Sequence, residues 1–293
     1  MGLPLDLGAL QEAAFRGSVT ERGELAAMVQ LPPELLYFLT GDAAPSVRLS
    51  AAGNPALPAL ADKRLAADPD PAVRAVLGRR LGQRAAQIMA TDVPCASIEA
   101  LWILARDVEV EVRFALADAL ADMPDAPRDL VLLLARDPFL AVCEPLLRLS
   151  QVLGEADLLD LVNNPGGEGT RAAIAGRLRL SEAVCLAMIH TGDETAVVAL
   201  LRNHTAQIPP AGLEIILEGA RSRVPWQDPL ATRPHLPIPM LEQLVSFMAE
   251  EVLQQLVQRF HLPAMVAARA RERLAPRIGQ NLMVWADTVT YSS

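Results

Sequence analysis

The chain has 293 residues, 52% of them hydrophobic and 4% aromatic, and a formal net charge of −9. That length buries a substantial core, while so acidic a balance argues against general nucleic-acid affinity, which rests on neutralised phosphates. Ala and Leu dominate and strand-length β-branched runs are scarce, so an all-α fold is expected.

The opening "MGLPLDLGALQEAAF" has no basic segment before its apolar residues, and Asp6 stands where a myristoylation motif needs Ser or Thr. No apolar run approaches the roughly 18 residues that span a bilayer. Cys95, Cys143 and Cys185 form no CxxC and cannot all pair. Reduced thiols in a soluble, cytoplasmic protein without membrane contact are expected. Residues 1–40 are expected to form a helical cap, with "LPPELLYFLTG" as its last helix and Gly41 as its stop.

From residue 41 the wording repeats. Asp42 is followed by Val47 and Arg48, Asp68 by Val73 and Arg74, Asp107 by Val112 and Arg113, Asp137 by Val142 and Cys143. Each Val lies five positions after its Asp, and the turns at 107, 137, 164 and 193 are 30, 27 and 29 residues apart. That interval suits two short helices and two turns. An apolar stripe precedes each Asp, as in Leu101, Leu104 and Ala105, and a second stripe follows it, as in Val112, Ala115, Leu116, Ala119 and Leu120. The Asp carboxylate can cap the second helix, and Pro69 and Pro138 suit its first turn. A lone pair cannot bury both stripes, so stacking into a solenoid over residues 41–223 is expected.

"LAADPDPAVRAVLGRRLG" and "LARDVEVEVRFALADALAD" resemble HEAT repeats, whose two helices meet at an Asp-containing turn followed by Val-Arg. The resemblance implies a ladder of Asp and Arg from successive repeats, carried here by Asp68, Arg74, Asp107 and Arg113, with Cys143 replacing the next Arg. Residues 97–221 are also similar to uncharacterised HEAT-like proteins of alphaproteobacteria, catalogued as a domain of unknown function. That group implies a fold and no catalytic residues.

A Pro-rich connector is expected at 224–239, where "VPWQDPLATRPHLPIP" holds five prolines. Residues 240–293 form a C-terminal helical extension in this reading. One face carries Leu241, Leu244, Val245, Met248, Val252, Leu256 and Phe260, and a further face carries Val266, Ala270, Leu274, Ile278 and Leu282. Leu244, Met248, Val252 and Leu256 are candidates for self-association into a homodimer.

No catalytic constellation stands out. His190 and Asp193 flank a turn, His204, His235 and His261 are isolated, and no metal-ligand spacing occurs. "NNPGGEGT" at 163–170 is Gly-rich but lacks a P-loop's Lys-Ser/Thr ending. Neither a cofactor nor a metal is expected. Between Lys63 and Arg84 six cations (Lys63, Arg64, Arg74, Arg79, Arg80, Arg84) face Asp68 and Asp70, a local balance of +4. Arg74, Arg79, Arg80 and Arg84 are therefore candidates for contact with a protein partner. The expected function is a non-enzymatic scaffold or adaptor that holds such a partner on the repeat surface. The alternative is nucleic-acid binding of the kind found in HEAT-like DNA glycosylases, which the acidic charge and scarce aromatics disfavour.

Overall fold

Arginine and aspartate recur at fixed offsets because they tie one helix pair to the next. The computed structural model describes residues 6–90, 95–234, 236–259, 265–270 and 272–273, and every regular element among them is helical. Two compact units divide the chain, Met1–Thr170 and Arg171–Ser293, a boundary that lies within the 41–223 stretch.

The first unit contains α1 (Leu7–Arg16), α2 (Val19–Ala27), α3 (Pro33–Leu39), α4 (Pro45–Gly53), α5 (Ala59–Ala66) and α6 (Pro71–Gly82). It continues with α7 (Ala85–Met89), α8 (Ala96–Leu104), α9 (Val110–Ala121), α10 (Arg128–Ala135), α11 (Leu140–Leu149) and α12 (Glu155–Asn163). Helices α2, α4, α6, α9 and α11 pack consecutively, each against the next. The stripes expected from the sequence are buried: Val47, Val73, Val112 and Val142 are fully covered, as are Leu101, Leu104, Leu116 and Leu120. Between α6 and α9 the backbones come close at Gly78 and Gly82. A Cβ on Gly82 would lie 2.7 Å from that of Ala119.

Through these helices runs a line of ion pairs, half-buried at its start and fully buried at Arg113–Asp137. Arg22 Nε donates to Asp42 at 2.6 Å, Arg48 to Asp68 at 2.7 Å, Arg74 to Asp107 at 2.6 Å and Arg113 to Asp137 at 2.6 Å. In each case Nη2 donates to the second carboxylate oxygen, at 2.9–3.2 Å. Nη1 meanwhile donates to a backbone carbonyl in the turn before its own helix: Gly17, Asp42, Asp68 and Asp107. Each Asp also accepts the backbone N–H two residues on, from Ala44, Asp70, Glu109 and Phe139. These are the cap residues of α4, α6, α9 and α11. The Asp therefore forms an Asx turn, and the helix starts three residues after it. Pro69 and Pro138 accordingly precede the caps and lie in the turn; the first helical position is taken by Pro45 and Pro71.

The second unit begins within α13 (Thr170–Ala175) and holds α14 (Glu182–Thr191), α15 (Glu194–Arg202), α16 (Pro210–Gly219), α17 (Gln227–Ala231), α18 (Ile238–Phe247) and α19 (Glu250–Arg259). A 3-10 turn at Val224–Trp226 leads into α17, so the Pro-rich segment contains short helical pieces. Asn203 donates to Ala175 O at 2.8 Å and to Arg177 O, 28 and 26 residues back. Asn54 of the first unit does the same to Ala26 O and Met28 O at the same offsets. Elsewhere in the second unit arginines cover helix C-termini. Arg233 donates to the carbonyls of Leu200, Leu201, Asn203 and Ala206, and Arg273 to those of Val245 and Met248.

The face expected to run unbroken from 241 to 260 is split at Met248, whose ψ of 142° ends α18. The cause is tertiary. Gln227 accepts the Ala249 N–H at 2.7 Å, and Arg273 takes the Met248 carbonyl at 2.8 Å.

Three ladder carboxyls, Asp42, Asp68 and Asp107, titrate low. Asp42 lies below the ordinary carboxylate range chiefly because Arg22 donates to it. At Asp68 and Asp107 burial pushes hardest, and upwards, but the donations from Arg48 or Arg74 and from the cap N–H together outweigh it. A carboxyl with a depressed folded-state pKa stabilises the fold at pH above its unfolded value, roughly 4, and that contribution is lost as pH falls through the folded value. Urea unfolding at neutral pH should show Asp107→Asn destabilised by about 1.5–3 kcal/mol, because the half-buried Arg74 loses its charge-assisted donations to the carboxylate. The wild type should lose stability progressively below pH ~4, and the variant less steeply.

Candidate interaction surface

The basic cluster at 63–84 separates into residues with different surroundings. Arg74 is a ladder residue. Arg80 is buried, 7% exposed, and ion-pairs with Asp62 of α5, itself 2% exposed. Ser97 of α8 donates to the other oxygen of Asp62 at 2.5 Å, so three helices meet at one carboxylate. Arg80 Nε is buried without a hydrogen-bond partner. Lys63 bridges to Glu99 of α8 at 2.5 Å on the surface. Arg64 lies over the Tyr37 ring, 5.8 Å from its centroid. Arg79 and Arg84 are exposed. Of the four candidate partner residues, two therefore face solvent and two are committed to internal carboxylates.

The candidates for self-association are internal as well. Leu244, Met248 and Leu256 are buried and Val252 is half-buried. Phe260 lies outside the described residues, as do Leu274, Ile278 and Leu282, while Val266 and Ala270 are buried.

The other motifs take structural places. His190 ends α14 exposed, and Asp193 instead accepts the Ala196 N–H as the cap of α15. His204 is exposed; His235 and His261 lie outside the described residues. Burial pushes the thiols of Cys143 and Cys185 up to about 11, which keeps them protonated at neutral pH. The Gly-rich loop rests on the turn of Asp137. A Cβ on Gly166 would lie 2.5 Å from the Arg136 carbonyl oxygen, and Gly167 abuts the Pro138 carbonyl equally closely. Among the described residues no group of His, Cys, Asp and Glu is placed to hold a metal ion.

A different surface emerges when the helices that precede the ladder turns are aligned on Asp42, Asp68 and Asp107. Positions eight, five, four and one residues before the Asp form one exposed helix face, at i, i+3, i+4 and i+7. At α3 and the turn after it they are Glu34, Tyr37, Phe38 and Gly41; at α5 and its cap Leu60, Lys63, Arg64 and Ala67; at α8 and the turn after it Glu99, Trp102, Ile103 and Arg106. Direct contacts join these faces: Phe15 of α1 against Phe38 at 4.4 Å, Arg64 over Tyr37, and Lys63 with Glu99. Arg106 lies over the Trp102 ring at 4.9 Å. The Asp residues that set this register were already marked by the Asp–Val–Arg spacing, but the exposed face of the preceding helices was not read from it.

The geometry is that of an all-α protein made of short helices packed in series. Residues 142–287, just under half of the chain, match a family model described as an uncharacterised protein conserved in bacteria (DUF2336). The chain is similar to that family from α11 to beyond α19. No curated protein matches it.

Because Asp62 and Arg80 sit in an apolar core, removal of one partner should cost about 3–5 kcal/mol, whereas replacement of both by apolar residues should be far milder. Thermal unfolding of Arg80→Met, Asp62→Leu and the double variant tests this. A double variant worse than both singles would refute it.

Proposed function

We propose that the helix pairs of each unit are HEAT-like repeats, and that the protein is a non-enzymatic scaffold whose repeat surface holds a protein partner. The observation that carries this reading is the ladder. Four successive turns use the same Arg, Asp, carbonyl and cap N–H geometry. Equivalent positions on successive helices are thereby held in register and present rows of side chains to solvent, which is the basis of recognition in repeat proteins. A cytoplasmic location accords with three free cysteines, and among the described residues no helix is long and apolar enough to cross a membrane.

The surroundings of the basic cluster argue against the nucleic-acid alternative. Arg74 and Arg80 are neutralised by internal carboxylates, which leaves Arg79 and Arg84 as the exposed members of that candidate set. Self-association through Leu244, Met248, Val252 and Leu256 would require opening the core of the second unit, so partner contact is assigned to exposed positions.

Affinity capture with the intact chain, followed by reconstitution with the recovered protein, tests the scaffold reading. A stoichiometric protein complex that survives 150 mM salt (about the physiological ionic strength) is expected. Tight duplex binding that weakens by roughly 10³–10⁵ between 50 and 200 mM salt would favour the nucleic-acid reading.

A further inference from the structure

Arginines of the first unit mostly find carboxylates. Those of the ladder pair with Asp, Arg80 meets Asp62, and on the surface Arg128 and Arg136 reach Asp157 and Asp160. Arg64 and Arg106 differ. Both are exposed, and each guanidinium is laid against an aromatic ring, Tyr37 and Trp102 respectively, with no carboxylate in ion-pair reach among the described residues. Arg106 is further held by donation from Nη1 to Trp102 O at 3.3 Å. Contact with a ring lowers the freedom of each side chain, Arg64 also packing closely over Gly41, while both residues stay exposed to solvent.

The same face exposes apolar side chains around the Lys63–Glu99 bridge. Phe38 is 43% exposed, Leu60 71% and Ile103 40%. Neighbouring charge does not cancel the pair. Glu99 is already bridged by Lys63, and Glu34 sits in the first turn of α3, where the helix N-terminus stabilises it. A face with exposed apolar side chains and two restrained, unneutralised guanidinium groups is complementary to a segment that has aliphatic side chains flanked by carboxylates.

We propose that the outer face of α3, α5 and α8 binds an acidic amphipathic segment of the partner protein, with Arg64 and Arg106 each taking a carboxylate and Phe38, Leu60 and Ile103 receiving its aliphatic side chains. This rests on the scaffold reading and specifies which face is used and what chemistry it recognises. An acidic amphipathic helix pressed onto an apolar surface is a recurrent mode of peptide recognition, and planar Arg–carboxylate pairing supplies its orientation.

The test uses the full chain and a fluorescent synthetic peptide of about 20 residues, long enough for a ~30 Å helix, with Leu at heptad spacing and Glu elsewhere. Its counterpart with Lys in place of Glu is the control. Anisotropy titration is expected to show saturable binding of the Glu peptide and none of the Lys peptide. Arg64→Gln with Arg106→Gln should weaken binding at least tenfold, with Arg64→Lys and Arg106→Lys falling in between. Arg79→Gln on α6 with Arg84→Gln at the cap of α7 should change it less than twofold. Circular dichroism melts of all three variants should match the wild type, since each changed residue is exposed. Phe38→Ser with Ile103→Ser provides an independent loss of binding through the apolar side chains. Absence of Glu-peptide binding, equal binding of the Lys peptide, or indifference to Arg64 and Arg106 would overturn the proposal. So would Arg64- and Arg106-dependent binding to phosphatidylglycerol vesicles in place of the peptide. A captured partner protein released by the Arg79/Arg84 variant but not by the Arg64/Arg106 variant would sink this assignment while the scaffold reading stood.

Discussion

Each ladder arginine satisfies a carboxylate of the following turn and a carbonyl of its own preceding turn at once, and the structure of the first unit depends on that double engagement. The carboxylate it meets is in turn occupied by the N–H of a helix cap. Turn, cap and contact between successive helix pairs are thus one hydrogen-bonded unit. Short helices of 7–12 residues at α3, α4, α5, α6, α8 and α9 would be marginal alone. Their stability comes from the buried stripe on each side, and the ladder determines which neighbouring stripe is met. An ion pair in a buried position is a poor source of net stability against an apolar replacement. Its value here is register: a slip of one residue would leave four guanidinium groups and four carboxylates without partners.

The ladder ends where both of its members change. Cys143 occupies the Arg position, and Asn164 follows Asp137 at the interval where another Asp would stand. The Gly-rich loop lies directly after Asn164, and Gly166 and Gly167 allow its backbone to press against the turn of Asp137. Close backbone contact takes the place of the missing side-chain bridge. Thr170 closes the loop by donating to Gly167 O at 2.8 Å. A sequence feature that looks like a phosphate cradle is explained by steric need on both sides of the loop.

Much of this was legible in the sequence, and what was not has a common cause. The Asp–Val–Arg spacing predicted the helix pairs and their buried stripes because helical periodicity and turn chemistry are local. The position of Cys143 marked where the ladder stops. Arg80 and Arg84 could not be told apart, since both lie at the end of the same helical run. Only Asp62 on α5 and Ser97 on α8 determine that Arg80 is internal. Likewise nothing in "VSFMAEEV" breaks a helix by itself. The break needs Gln227 and Arg273, which are distant in sequence. The apolar stripe of α18 and α19 was read correctly as a stripe; whether it was covered by the chain itself depended on contacts that periodicity does not encode.

The near-absence of lysine acquires a physical aspect in this light. Among 26 basic residues Lys63 alone is lysine, and a base composition rich in Arg codons accounts for the excess without selection. At the ladder, however, Nε, Nη1 and Nη2 are used together in three fixed directions, which an ammonium on a flexible stem cannot reproduce. The C-terminal carbonyls gathered by Arg233 demand the same planar fork, and there burial lowers the guanidinium's pKa without removing its charge. Arg64 and Arg106 instead lie over aromatic rings, 5.8 and 4.9 Å from the centroids of Tyr37 and Trp102. One residue type thus ties consecutive helix pairs together, closes helix ends and lies over exposed rings, and at Arg113 a carboxylate, a carbonyl and a ring are met at once.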